Sequence, residues 1–84
     1  MNHFCYVLVN IKDSCMIYSY ISDDWSVKTG NYVLVPFGKE GRETAGTVKN
    51  TFFCAENHAP FPVEKTKHVI RIINRAEFLA AGGM

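Results

Sequence analysis

The chain has 84 residues, a formal net charge of +1 and 48% hydrophobic residues. This length allows one domain with a small core, and the apolar content argues against a disordered chain. A net charge near zero gives no general attraction to polyanions, so nucleic-acid binding would require a local cluster of cations.

The sequence has no features of export or membrane insertion. No apolar run approaches 18 residues, and the N-terminus has no basic segment followed by a long apolar one. The cysteines, Cys5, Cys15 and Cys54, are odd in number and lack CxxC spacing, which argues against a disulfide framework. Cys54 and His58 are four residues apart, but two ligands do not make a metal site. We therefore expect a cytoplasmic protein without metal or cofactor.

The first third of the chain predicts a β-hairpin. Residues 3–11 are rich in Val and aromatic side chains, which favour a strand. A polar turn at residues 12–14 leads to a second predicted strand at residues 15–21. The period of two in a strand places Tyr18 and Tyr20 on the same face.

Residues 22–36 predict a turn and then a third strand. Trp25 and Val27 follow a polar turn and are expected to pack back onto the core. Gly30 occupies a turn position that favours positive φ. Residues 31–35 alternate like a half-buried strand, and Pro36 is expected to end it because proline has no N–H to donate.

A charged loop follows the third strand. Gly38 and Gly41 bracket Lys39 and its neighbours, and such an exposed loop on a small β scaffold is suited to contact with a partner. Residues 44–53 predict a long fourth strand, with Gly46 at its start.

The C-terminal third predicts a loop, a last strand and a short helix. Residues 55–67 have no strand pattern, and residues 68–73 do. Asn74 is a suitable N-cap for a helix over residues 75–81. About five or six short strands without a long helix predict an all-β fold, a small closed or partly open barrel of the OB or SH3-like kind. Closure would remove exposed sheet edges.

A resemblance to a known family is carried by a turn glycine, an alternating strand, Pro-Phe-Gly, a polar loop and Gly-x-Val. Here these are Gly30, residues 32–35, Pro36-Phe37-Gly38 and Gly46-Thr47-Val48. The pattern resembles the N-terminal 3′ DNA-binding domain of the replication-restart helicase PriA. The resemblance covers residues 15–73. It implies that residues 1–84 are one DNA-binding β-barrel domain of the primosome type.

The resemblance also implies a pocket for the last nucleotide at the 3′ end of a strand. In the family this pocket is lined by an aromatic residue, an acid, the glycine of Pro-Phe-Gly and a lysine. The corresponding residues in this chain are Tyr18, Ser19, Gly38 and Lys67. An aromatic ring can stack on a base or sugar, glycine allows close backbone approach, and lysine pairs with phosphate.

Phe37 and Lys39, which flank Gly38, complete the predicted DNA-binding set. Ser19 departs from the family because it replaces the acid, and a neutral hydroxyl binds a terminal hydroxyl less strongly than a carboxylate does. The expected partner is single-stranded or branched DNA, with a replication protein as a further partner.

Two other functions share the same scaffold. A protein-interaction module would use Phe52, Phe53 and Phe61 as anchors, and it includes self-association through an open strand edge. An RNA-binding barrel would require contacts to the 2′-hydroxyl. Because the sequence has no GxxxxGK[ST] loop, GxSxG elbow or HExxH helix, we do not expect an enzyme.

Overall fold

A computed structural model describes residues 3–59 and 61–81, and these form five antiparallel strands and one short α-helix. The strands are β1 (His3–Ile11), β2 (Ile17–Ser22), β3 (Tyr32–Phe37), β4 (Arg42–Ala55) and β5 (Arg71–Ile73), and helix α1 spans Arg75–Ala80. They form one sheet in the order β2-β1-β4-β3-β5. The predicted all-β fold and C-terminal helix are therefore confirmed.

The core lies on one face of this sheet. Alternate side chains of β1 are fully buried there, as the period of two in a strand requires; they are Cys5, Val7, Val9 and Ile11. Valines of the neighbouring strands pack against them, namely Val33, Val35 and Val48. These valines suit a sheet because their branched, stiff side chains favour strands and pack well against neighbours on the pleated surface.

The edge strand β2 and strand β3 are joined by a seam, which we define as residues 67–70. The backbone N–H of Ile21 in β2 donates to the carbonyl of Lys67 at 3.0 Å, and that of Val69 donates back to the Ile21 carbonyl at 2.8 Å. On the other side of the seam, the N–H of Ile70 donates to the carbonyl of Leu34 in β3 at 2.8 Å. The seam thus bridges β2 and β3, which stand far apart in the strand order.

The sheet itself is not closed into a barrel. The contact of β2 with the seam is an isolated parallel bridge between Ile21 and His68, not a strand ladder. For the same reason the last strand is shorter than the predicted residues 68–73. The seam alternates between two partners, so a regular ladder with β3 begins at Arg71.

We expected Pro36 to end β3, and this expectation is wrong. Pro36 continues the strand and pairs with Glu43 of β4. Backbone groups of alternate residues in an antiparallel strand point to the same side. The Leu34 carbonyl points away from β4 to accept from Ile70, so Pro36, two residues later, also points away from β4. Its missing N–H therefore removes no hydrogen bond from the β3–β4 ladder.

The turn between β1 and β2 is wider than predicted, so β2 begins at Ile17 and not at Cys15. Asp13 adopts a positive φ of 61° in this turn. The Asn10 side chain donates to the carbonyls of Ser14 and Met16 at 3.1 and 3.0 Å. These contacts hold residues 12–16 in a compact turn outside the ladder.

Val27 is buried as predicted, but the expectation that Trp25 covers the core is wrong. Trp25 is 54% exposed, and its ring contacts that of Phe53 at a centroid distance of 5.0 Å. Phe53 lies near the end of β4, opposite Cys5 of β1. The two rings therefore form an exposed aromatic pair.

The predicted cap of α1 is confirmed, and a lysine from the first hairpin holds the other end of the helix. The Asn74 side chain accepts from the Glu77 N–H at 2.7 Å, completing a capping box. Lys12 Nζ donates to the carbonyls of Phe78 and Ala81 at 2.7 and 2.6 Å. A cation is favourable at this end because helix carbonyls there lack partners.

Gly46 lies inside β4, not at the start of a strand as we expected. The register of β1 against β4 shifts between Leu8 and Val9. A Cβ added at Gly46 would overlap the Val9 side chain and lie 2.9 Å from the carbonyl oxygen of Asn10. Glycine is therefore needed here because the two central strands approach closely.

We expect Gly46→Ala to lower the free energy of unfolding by about 1–3 kcal/mol, because the strands must separate to admit the methyl group. Urea denaturation followed by circular dichroism measures this. Lys49→Ala, an exposed change on the same strand, is the control and should stay within about 0.5 kcal/mol. Equal stability of the two variants would contradict the close approach.

Candidate functional site

A groove of about 600 Å³ opens beside the seam, between β2, the end of β3 and residues 61–67. Five of the six residues predicted from the sequence line it, namely Tyr18, Ser19, Phe37, Gly38 and Lys67. They come from three separate segments of the chain. Because β2 is an edge strand, residues from both of its faces reach the groove, which explains why Tyr18 and Ser19 both line it.

Two aromatic rings form one wall of the groove. Tyr18 and Phe37 meet edge to face with their centroids 5.1 Å apart, a favourable geometry for aromatic pairs. Phe37 packs against the core, whereas Tyr18 is 36% exposed. Tyr18 therefore presents a ring supported from behind by a fixed neighbour.

A cation stands against the backbone of the hairpin at the end of β3. Lys67 Nζ donates to the Gly38 carbonyl oxygen at 3.1 Å, although 29 residues separate them. Gly38 has a φ of +80°, a conformation that side-chain-bearing residues rarely adopt. The turn conformation of Gly38 thus aims a carbonyl at Lys67 and fixes the position of the ammonium group.

Lys39 is the predicted site residue that does not line the groove. The hairpin closes by a hydrogen bond of 3.2 Å from the Gly41 N–H to the Gly38 carbonyl. Lys39 stands in the exposed turn between these glycines. Proximity to Gly38 in sequence did not bring the two residues to the same surface, because the turn reverses the chain.

Residues 61–67 form the opposite wall, of which the sequence assigned only Lys67 to the DNA-binding site. This segment supplies Phe61, Lys65 and Thr66 to the lining. The hydroxyl of the buried Tyr6 donates to the Phe61 carbonyl at 2.9 Å, and Thr66 Oγ1 donates to the Pro62 carbonyl at 2.7 Å. These bonds hold in place a segment for which the sequence predicted only a loop. Its two lysines, at positions 65 and 67, were the sequence feature that could have indicated a binding role.

The charged side chains in the lining of the groove are lysines. Lys65 and Lys67 contribute two cations, and no Asp or Glu is among the described residues that line the groove. Two arginines outside the groove are paired with carboxylates. Arg71 lies 2.7 Å from Glu77, which lowers the pKa of Glu77, and Arg42 lies 3.8 Å from Glu40. The groove therefore has a local positive potential on a nearly neutral protein.

Tyr20 forms the base of the groove and ties its two strands together. Its buried hydroxyl donates to the Pro36 carbonyl at 2.9 Å, from β2 to β3. Burial, with a smaller effect of Tyr18, raises the pKa of Tyr20 to about 12. Tyr20 thus remains a neutral hydrogen-bond donor well above neutral pH.

The described residues offer no arrangement for metal chemistry. In residues 3–59 and 61–81, no three His, Cys, Asp or Glu side chains come together as a metal site would require. Cys5, Cys15 and Cys54 are unpaired, and burial raises the pKa of the Cys5 thiol. Within the same part of the chain, no helix has the length and apolar character needed to span a membrane.

Comparison of the chain with known proteins found no matching family model, curated protein or solved structure. The basis for assigning a function is therefore the chemistry of the groove itself. It combines supported aromatic rings, two lysines and free hydroxyl groups in a cleft of the size that holds small organic ligands.

We expect the stability of the protein to fall between pH 10 and pH 12 through Tyr20. A pKa raised in the folded state means that the folded form holds the proton more tightly. This contribution is fully present below the unfolded pKa of about 10 and is lost as pH rises through the folded value. Urea denaturation at pH 8 and pH 11.5 should show a loss of stability that is larger by roughly 2 kcal/mol in the parent than in Tyr20→Phe. Equal losses in both proteins would refute this role of Tyr20.

Proposed function

We propose that this protein binds single-stranded DNA, including the 3′ end of a strand at a branched fork, in the groove beside the seam. The observation that carries the proposal is the convergence of Tyr18, Ser19, Gly38 and Lys67 from distant parts of the chain. These are the positions that the resemblance to the PriA 3′ DNA-binding domain singles out. Their convergence in one groove is a geometric observation that supports the proposal.

Each part of the groove has a role in this function. The Tyr18 ring and the half-exposed Phe61 ring stand on opposite walls, where each can stack on a base. Stacking on an aromatic side chain contributes about 1–3 kcal/mol per base and tolerates any sequence. Lys65 and Lys67 pair with phosphate oxygens, which makes the affinity fall as salt rises.

A protein-interaction module is the alternative, and one observation favours it. Trp25 and Phe53 form an exposed aromatic pair, with each residue 54% exposed. Large exposed aromatic side chains are frequent anchors at protein interfaces. Of the other predicted anchors, Phe61 lines the groove, and Phe52 stacks on the Tyr6 ring at 5.7 Å. Binding that is insensitive to salt and depends on Phe53 would favour this alternative, including self-association.

Further parts of the proposal follow from the DNA-binding function. It requires no catalysis or cofactor, and it is compatible with a cytoplasmic replication protein as a second partner. Binding of RNA uses the same stacking and phosphate contacts, so oligonucleotides of both kinds belong in the first experiment.

Lys67→Ala is expected to weaken binding of single-stranded DNA about five- to tenfold at low salt, because a fixed phosphate contact is lost. The slope of log affinity against log salt should fall by about 1. Fluorescence anisotropy with a labelled oligonucleotide over a salt series measures both quantities. Lys49→Ala removes an exposed lysine outside the groove and should change neither. Unchanged affinity in Lys67→Ala would count against the groove.

Phe61→Ala is expected to weaken the same binding about tenfold, because one stacking surface is lost. Phe53→Ala is a matched control, since Phe53 and Phe61 are 54% and 50% exposed. If Phe53→Ala weakens binding and Phe61→Ala does not, the site lies at the Trp25–Phe53 pair and not in the groove.

A further inference from the structure

The polar groups in the groove are suited to an anion and not to a terminal hydroxyl. A carboxylate is a stronger acceptor for a hydroxyl than a neutral oxygen is, and the described lining has no carboxylate. Its charged groups are the ammonium ions of Lys65 and Lys67, and its hydroxyl groups are those of the tyrosines, Ser19 and Thr66. A carboxylate in the lining would also repel a phosphate, so a groove without one binds phosphate with less electrostatic repulsion.

Lys67 is positioned by the protein but retains free donors. An ammonium group has three N–H donors, and the Gly38 carbonyl accepts from Lys67 Nζ at 3.1 Å. This single described bond leaves two donors for oxygen atoms in the groove. Lys65 makes no described hydrogen bond or ion pair, so all three of its donors remain available.

Ser19 offers a further donor on the β2 side. Its hydroxyl makes no hydrogen bond with the described residues, whereas that of Thr66 donates to the Pro62 carbonyl at 2.7 Å. Ser19 can therefore donate to a phosphate oxygen. Two cations and the free hydroxyl groups of Ser19 and Tyr18 match a group with three acceptor oxygens and nearly two negative charges, which is a phosphomonoester.

We propose that the groove holds the terminal phosphomonoester of a nucleic-acid strand in preference to a terminal hydroxyl. This inference rests on the proposed single-strand binding and specifies the end that the groove selects. Both a 3′-phosphate and a 5′-phosphate carry this chemistry. The base next to the phosphate lies between the aromatic walls that Tyr18 and Phe61 provide.

The test compares labelled oligonucleotides of one sequence, with the dye attached internally. One has hydroxyl groups at both ends, one a 3′-phosphate, one a 5′-phosphate, and one a 3′-phosphate capped as a propyl diester. We expect one of the two phosphomonoesters to bind about tenfold more tightly than the hydroxyl-ended strand, because hydrogen bonds to an ionised acceptor are stronger. The capped strand has the same phosphate with a single charge, and it should lose most of this preference.

A substitution at Ser19 reverses the preference if the inference is right. In Ser19→Asp a carboxylate joins the lining of the groove, where it repels the phosphomonoester and accepts a hydrogen bond from a terminal hydroxyl. Ser19→Asn, a neutral side chain of similar size, is the matched control and should keep the preference for phosphate. Far-UV circular dichroism verifies that both variants fold.

The outcomes separate this inference from the proposed function. Strands that bind equally well with phosphate and hydroxyl ends, or better with hydroxyl ends, would overturn the inference and leave single-strand binding intact. Capped and free phosphates of equal affinity would also overturn it, since one charge would then suffice. Absence of binding to every oligonucleotide would overturn the proposed function and the inference with it.

Discussion

The backbone hydrogen bonds of the seam are the constraint on which the groove depends. The curvature of the sheet brings β2 and β3 near each other although three positions in the strand order separate them. Residues 67–70 fill the remaining gap by bonding to Ile21 on one side and Leu34 on the other. Without this bridge, buried peptide groups at both edges would lack partners, at a cost comparable to that of the lost hydrogen bonds.

The same constraint creates the site. A segment that must cross from one strand to the other leaves the sheet unclosed, and the groove opens where the ladder is interrupted. Lys67 is the first residue of the seam, so its backbone joins β2 while its side chain reaches the Gly38 carbonyl. Lys67 therefore both joins the seam to β2 and supplies a cation to the groove. The hydrogen bond from Tyr20 to Pro36 links β2 and β3 at the base of the groove.

The sequence predicted local features of the chain more reliably than it predicted strand boundaries that depend on which strand lies alongside. The strands at residues 3–11 and in the 44–53 region, the cap at Asn74 and the positive φ of Gly30 were visible because they follow from side-chain shape and backbone preference. The sequence did not reveal the interior position of Gly46 or the continuation of β3 through Pro36. Each depends on which strand lies alongside, and local sequence carries no information about that neighbour.

The sequence by itself determined that this chain forms a small all-β domain, and it identified five of the residues that line the candidate groove through a family resemblance. Only the tertiary structure decided that Lys39 lies outside the groove, that Phe61 and Lys65 are part of its lining, and that the sheet stays open. The physical reason is that residues far apart in sequence meet only when the sheet curves. The contacts from Tyr6 to Phe61 and from Lys67 to Gly38 span 55 and 29 residues, so no local pattern could reveal them.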